Sequence, residues 1–451
     1  MPKLKTYDSL MRLFSLKEGE FKLLALSFSF IFVLFSSYSL LRPIRDALGL
    51  SGGDDELKWL FLGTFLACIA SSLALMWLST RIKRRFYIDF VLVFFGLNLL
   101  AFYAAMSLIE PQSSEFIWLC RIFYVWVSVF NLFVFSSAWS LLSDIFSKEA
   151  SLRLFGIIAA GASLGSIAGS ASVRYLVEHI GTSSFILASM ILLCLALALK
   201  HAMISDIFKH TQVAHSRNPQ TSQTASQNPQ AAQNPLERFD KTIGAKNPFV
   251  GFSLITKSPY LLALCAFVLL LTAVSTFLYM EQMRIIKETF SSREERVAMF
   301  ATIDLVVQSL SLFIQIFLTA KIAKFFSLSA LLSTLGFVIS IGFVVLCFTH
   351  PAFLPLAVVM SMRRVGEYAL VKPGREMLFV PLSSDEKYKV KNFIDTVVYR
   401  GGDALSAQVE SALFSLGISV VLLVGAGISF VWGILGVFLG RKYQQKDEQT
   451  S

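Results

Sequence analysis

Charge is scarce in this chain, and the scarcity decides its class. Asp, Glu, Lys and Arg make up 16% of the 451 residues, where a soluble globular domain carries about 25%. Cysteine is scarce too. Cys68, Cys120, Cys194, Cys265 and Cys347 stand far apart in apolar stretches with no CxxC pair, which argues against a disulfide framework and a zinc site. The five histidines lie outside the long apolar runs or at their ends, an unsuitable placement for a haem or metal centre in a membrane. GxxxxGK[ST], HExxH and GxSxG are all missing, so nothing points to nucleotide hydrolysis or to other catalysis. No enzyme activity, cofactor or metal is expected. A cleavable signal peptide is not expected either, because the apolar run from Phe21 to Leu41 is too long and Arg42-Pro43 follows it.

What the chain has instead is apolar length. Hydrophobic residues reach 55% and mean hydropathy is +0.65. A helix needs about 20 apolar residues to cross a hydrocarbon layer roughly 30 Å thick. Runs of that kind predict spans at 21–42, 57–79, 87–108, 116–142, 154–176 and 182–203, then at 259–281, 297–320, 326–348, 351–372, 392–415 and 417–440. The fold class is therefore all-α, a polytopic membrane protein of about twelve transmembrane helices. Between the two sets, 204–258 holds SRNPQTSQTASQNPQAAQNP, a composition that cannot bury a core. The expected organisation is a six-helix half over 1–203, a cytoplasmic low-complexity linker over 204–258, and a second half over 259–451.

The net charge of +10 reads as topology rather than nucleic-acid binding, since Lys and Arg accumulate on cytoplasmic loops. Lys3, Lys5, Arg12, Lys17 and Lys22 precede the first span, and Arg81, Lys83, Arg84 and Arg85 follow the second. Lys321 and Lys324 follow the eighth, Lys387, Lys389 and Lys391 the tenth, and Arg441 and Lys442 the last. The 108–116 and 348–351 connections carry no Lys or Arg and are expected outside. Both termini are expected in the cytoplasm, with the chain a monomer in the lipid bilayer of the cell's inner membrane.

The halves echo each other. Thr80-Arg-Ile-Lys-Arg-Arg-Phe closes the second span and Ala320-Lys-Ile-Ala-Lys-Phe-Phe the eighth, while Arg121 has counterparts in Arg363 and Arg364. Two parallel six-helix halves joined by a polar loop resemble the major-facilitator arrangement, in which solute binds near the midplane.

Ionised side chains inside a bilayer are expensive and mark function. Tyr38, Arg42 and Arg45 share one helical face, with Asp46 beside them. Arg121, Tyr124, Ser128 and Asn131 form a stripe on span four, and Asp304, Gln308, Ser311 and Gln315 one on span eight. Span ten carries Arg363, Arg364, Glu367, Lys372, Arg375 and Glu376; span eleven carries Lys391, Asp395, Arg400, Asp403 and Glu410. A packing role would pair them off, Arg364 with Glu367 and Arg42 with Asp46. A functional role would line one aqueous cavity, and the preponderance of Arg would suit a phosphate or carboxylate. The expected substrate-binding set is Arg42, Arg45, Arg121, Asn131, Arg363, Arg364 and Lys391. The expected coupling or gating set is Asp46, Asp304, Glu367, Arg375, Glu376 and Asp395, with Arg375 and Glu376 as a pair. Gly161, Gly165 and Gly169, with Gly156 before them, are spaced for close helix packing.

Pro373-Gly-Arg-Glu-Met-Leu-Phe-Val-Pro-Leu382, then Lys387-x-Lys389-x-Lys391, Asp395 and Gly401-Gly402, resemble the ATP/ADP translocase (nucleotide transporter) family. That family shows P-T-K-E-M-A-Y-I-P-L, K-x-K-x-K, an Asp four residues on, and a later Gly pair. Leu41-Arg42-Pro-Ile-Arg45-Asp46-Ala-Leu is similar to its L-R-D-T-K-D-T-L. The resemblance implies a twelve-helix exchanger of nucleotides that does not hydrolyse them. It carries Arg42, Arg45, Asp46, Arg375, Glu376, Pro381, Lys387, Lys389, Lys391 and Asp395 onto the family's motif positions. The chain departs from the motif in having Pro43 for an Asp and Arg45 for a Lys, and in lacking a Lys-Ser before Gly401. The leading expectation is exchange of ATP/ADP or related phosphorylated anions. The alternatives are proton-coupled transport of another organic anion, with Asp304 or Glu367 carrying the proton, and a non-transporting membrane scaffold or sensor.

Overall fold

The structure is a computed structural model that describes residues 20–53, 56–146, 148–217, 250–317, 327–380, 390–391 and 393–450. Its helices are α1 (Glu20–Leu48), α2 (Glu56–Ser79), α3 (Arg84–Leu108), α4 (Ser114–Ile145), α5 (Lys148–Ile180), α6 (Thr182–Arg217), the short α7 (Val250–Thr256), α8 (Pro259–Thr289), α9 (Arg293–Phe317) and α10 (Leu328–Thr349). They are followed by α11 (Phe353–Gly366), a π-helical turn over Glu367–Val371, α12 (Lys372–Met377), a second π-helical turn over Ile394–Val398, α13 (Tyr399–Phe414) and α14 (Ile418–Thr450). Among the described residues ten helices are long and apolar enough to cross a membrane. The other two expected spans are composite, α11 with its π turn and α12, and the second π turn with α13. Their charges and breaks keep them below that threshold. The protein is a polytopic all-helical membrane protein with about twelve spans.

Most helices overrun their apolar cores into polar flanks. α1 continues through Arg42-Pro43 to Leu48, past the expected end. A proline costs one backbone hydrogen bond, a loss that membrane helices tolerate where neighbouring groups compensate. Of the segment read as a linker, 204–217 prolongs α6 and 250–256 forms α7. The rest lies outside the described residues, as do Lys3 to Lys17, Lys321, Lys324, Pro381, Lys387 and Lys389.

The chain divides into two compact units. One holds residues 1–42, 74–110 and 130–245; the other holds 43–73, 111–129 and 246–451. In the first, α5 lies against α1 on the three expected glycines. A Cβ on Gly161 or Gly169 would come within 2.8 and 2.7 Å of the Phe28 and Ser36 carbonyl oxygens, and one on Gly165 would run into that of Phe32. Ser36 Oγ donates to the Gly165 carbonyl at 3.0 Å, and Ser37 meets Ser189 of α6 at 2.7 Å. Ion pairs tie the ends expected to be cytoplasmic: Lys22–Asp206 at 2.6 Å, Arg84–Asp144 at 2.8 Å and Arg153–Glu20 at 2.9 Å. Deeper in, Lys200, only 3% exposed, holds Asp89 at 2.8 Å.

In the second unit α10 and α14 form a further small-residue seam. A Cβ on Gly336 would meet the Gly433 backbone at 2.6 Å, and one on Gly436 the Leu332 carbonyl at 2.7 Å. Ser429 Oγ donates to the Gly336 carbonyl at 2.9 Å. Ser258 caps α8 just before Pro259, accepting from the Leu261 N–H. Trp432 is buried against Phe267, ring centroids 5.7 Å apart.

Candidate functional site

The site is built within the second unit from helices interrupted at mid-length. Pro373 cannot donate to the carbonyl four residues back, and the helix widens into a π turn just ahead of it, over Glu367–Val371. π turns of this kind recur at functional sites. The second π turn, Ile394–Val398, leads directly into Tyr399 and Arg400. At 1.5 Å per residue, Arg363 lies about 15 Å from the start of α11, Asp403 about 17 Å from the end of α13, and Asp304 and Thr276 about 20 Å from the ends of α9 and α8.

These positions carry ion pairs. Arg363 Nη1 lies 2.7 Å from Glu367 Oε2 one turn along, and Arg364 Nη2 lies 2.6 Å from Asp304 Oδ1 on α9. Arg400 Nη1 is 3.8 Å from Asp403 Oδ2, and Asp403 Oδ1 accepts from Thr276 Oγ1 at 3.4 Å. The Tyr399 hydroxyl stands in the combined field of Glu367, Asp403, Arg363 and Arg400, which joins the two π-interrupted spans into one cluster.

The 43–73 and 111–129 segments extend it. Arg45 Nε and Nη2 donate to Asp46 Oδ1 at 2.9 and 2.6 Å, and Tyr279 Oη of α8 donates to the same oxygen at 2.9 Å. Tyr279 also meets Tyr124 Oη at 3.2 Å. Arg45 lies over the Tyr124 ring, 5.1 Å from its centroid, and reaches Ser128 Oγ at 3.5 Å. Thr276 and Tyr279, which reach Asp403 and Asp46, lie one turn apart on α8, so the two groups of charges face neighbouring positions of that helix. Phe65 packs on Gly401, where a Cβ would lie 3.3 Å from its ring.

Two pairings differ from those expected. Arg363 takes Glu367, and Arg364 turns to α9; the i,i+4 spacing aligns Arg363 with Glu367 on one face. Asp46 is held by Arg45 and Tyr279. Arg45, Arg363, Arg364 and Arg400 pair with Asp46, Glu367, Asp304 and Asp403 respectively.

Other expected residues lie elsewhere. Arg121 pairs with Glu56 at the first residue of α2, Nε to Oε2 3.2 Å, and stacks over Trp118 at 4.4 Å. Arg42 and Asn131 belong to the first unit, where Asn131 Nδ2 donates to Tyr38 Oη at 3.1 Å. Arg375 and Glu376 are a loose pair at 3.9 Å. Their closer partners are Asp395 and Lys391: Arg375–Asp395 is 3.1 Å and Lys391–Glu376 2.6 Å. This four-membered lattice joins α12 to the start of the eleventh span.

Of one further buried group the sequence reading noted only Glu410. Arg284 of α8 grips Glu410 of α13 with both arms, at 2.5 and 2.9 Å, and also reaches Glu281 at 3.3 Å. The other oxygen of Glu281 lies 2.8 Å from His350 Nε2. Placing the end of the seventh span at 281 put Glu281 and Arg284 at a presumed water boundary. Their spacing, one turn apart at the end of an apolar run, was the available signal.

Each paired guanidinium presents a planar fork already desolvated and aimed. Such a fork can pass from a protein carboxylate to a substrate acid, or be released when the carboxylate takes a proton. That is chemistry suited to a carrier.

Comparison with known proteins agrees. Similar folds include a bacterial homologue of the human lysosomal transporter Spinster (TM-score 0.60, 13% identity, covering 95% of this chain and 99% of that one). They also include the xylose transporter XylE of E. coli (0.57, 10%, 94% and 95%) and the nucleoside transporter NupG (0.59, 10%, 94% and 99%). Comparison with curated protein sequences finds no match. The family model described as Major Facilitator Superfamily matches residues 23–371, so this chain belongs to the Major Facilitator Superfamily and is a secondary transporter of small substrates.

Proposed function

We propose that the chain carries nucleotides or related phosphorylated organic anions across the membrane intact, with both termini in the cytoplasm. The observation that carries this reading is the set of forks on Arg45, Arg363 and Arg400, each paired with an acid inside the second unit. A phosphate can replace Asp46, Glu367 or Asp403 as the partner of its fork without leaving any guanidinium bare. The 373–402 motif, which resembles the nucleotide transporters, supports the same substrate class and favours exchange.

The pairing favours a second reading of the coupling. A charge-balanced empty site has little electrostatic obstacle to returning unloaded, and obligatory exchange loses its motive. Protonation of Glu367 or Asp304 would free Arg363 or Arg364 for the substrate, which is proton-coupled uptake. Proteoliposomes with labelled ATP, ADP and phosphorylated sugars separate the two. Exchange requires unlabelled anion inside and survives a protonophore; coupling to protons requires neither internal anion nor counterflow, and stops with the protonophore. In either case Arg45→Ala and Arg363→Ala should lower uptake at least tenfold with folded protein undiminished. Uptake unchanged in both variants overturns the site. Cysteines placed at Ser222 and Ser113 in a cysteine-free chain should label from opposite faces, and labelling from one face overturns the topology.

A further inference from the structure

The Arg284 group holds more negative charge than the protein balances. Glu281 and Glu410 are 2% and 0% exposed, and both lean on one guanidinium. Glu410 occupies its two arms. Oε1 of Glu281 receives no hydrogen bond from the other described residues, and the group facing it is the ring of His350, 2.8 Å away. The remaining cations on packed elements are committed elsewhere. Lys287 Nζ donates to the Gly52 carbonyl at 3.4 Å, Arg296 donates to the Phe290 and Lys287 carbonyls, and Arg293 lies over the Phe116 ring. Phe414 covers Arg284, 3.7 Å from its ring centroid, and so keeps water from that side.

Two acids and one arginine leave a net negative charge in a buried site, and such a charge is held only when compensated. One proton compensates it, carried on His350, whose ring holds it against the Glu281 carboxylate at 2.8 Å. His350 is 29% exposed and lies in the connection between α10 and α11 that is free of Lys and Arg. We propose that Glu281, Arg284, Glu410 and His350 form a proton-binding site that fills from the external face and clamps the outer ends of α8 and α13. The external facing rests on the proposed topology; the proton itself does not, and neither depends on the substrate. With the proton the group is neutral and the two helices stay joined. Without it the unbalanced carboxylate draws in water and loosens them. The loosening bears on closure of the outer end, since Lys287 of α8 holds Gly52, and Gln408 of α13 donates to the Lys58 carbonyl at 3.1 Å.

The test is thermal unfolding of the purified full chain in detergent, from about pH 5 to about pH 9, for the wild type, Glu281→Gln and His350→Gln. The wild type should lose several degrees of Tm as pH rises. Glu281→Gln removes the surplus charge, so its Tm should be high and flatter with pH. His350→Gln removes the proton carrier, so its Tm should fall below wild type at low pH and meet it at high pH. A His350→Gln curve parallel to wild type overturns the proposal, and so does a Glu281→Gln curve with the wild-type slope. Should Glu281→Gln fail to fold, the His350→Gln curve decides alone, because that side chain is partly exposed and its loss leaves the helices intact. No substrate enters the measurement, so failure of the nucleotide reading leaves this result standing, and the reverse.

Discussion

The first and fifth spans of each half meet in very different ways. α1 and α5 touch backbone to side-chain-free backbone, with Gly161, Gly165 and Gly169 seated on the carbonyls of Phe28, Phe32 and Ser36. α8 and α13 begin the same way, Gly402 lying against the Thr272 hydroxyl. They then turn polar, through Thr276–Asp403 to Arg284–Glu410. Packing contacts of the first kind fall off within an ångström and have no alternative partner. Ion pairs of the second kind can be traded for a proton or for a charged solute. One seam is therefore built to stay fixed, and the other can respond to chemistry.

The largest effect should come from breaking the fixed seam. In Gly165→Leu the first added carbon already collides with the Phe32 carbonyl. Backbones must part along the whole contact, beyond the about 1–3 kcal/mol typical of overpacking. Loss of the monodisperse peak in size-exclusion chromatography is the expected outcome. Next comes Arg284→Ala, which leaves two buried acids without their cation and should cost about 3–5 kcal/mol. The double change Arg284→Met with Glu410→Leu removes the cation and one of its two acids, leaving Glu281 facing His350, and should recover about 1–2 kcal/mol of that loss. If the double variant is no more stable than Arg284→Ala, the responsive seam is held by something other than its ion pair. A smaller effect, about 1 kcal/mol, is expected for Thr276→Val, which removes one long hydrogen bond from Asp403 while keeping the shape of the side chain. A change in denaturation midpoint as large as that of Arg284→Ala would mean that Asp403, not Glu410, anchors the contact.

How much of this was legible in the sequence differs between the seams for a physical reason. The spans could be read because a bilayer demands about 20 apolar residues per crossing. The α1–α5 seam could be read because its glycines repeat every four residues on one helix. The α10–α14 seam was missed, since Gly336 has no glycine four residues before or after it on α10 and meets Gly433 on a helix nearly a hundred residues away. Partners of charged residues were the least legible. Residues 363 and 364 are adjacent in sequence, yet one bonds within its helix and the other to α9, a choice set by rotation about the helix axis. Tyr279 and Tyr399 were not singled out in the sequence. His350 sits in a connection whose lack of Lys and Arg served only to mark the outside.

The smallest expected effect tests the comparison most finely, at Gly156. It stands five residues before Gly161 on the same helix, where Gly161, Gly165 and Gly169 follow one another at intervals of four. If the whole glycine series were packing on α1, any added side chain would be harmful at each position. Yet a Cβ at Gly156 would meet nothing within 4 Å. What remains there is the ordinary conformational cost of glycine inside a helix, about 0.5–1 kcal/mol relative to alanine. Gly156→Ala should therefore raise thermal stability slightly, while Gly161→Ala, whose Cβ would press on the Phe28 carbonyl at 2.8 Å, should lower it. The two substitutions share residue type and helix, so opposite signs can come only from what lies across the contact. Destabilisation by Gly156→Ala comparable to that of Gly161→Ala would show that the fixed seam runs a turn further along α5.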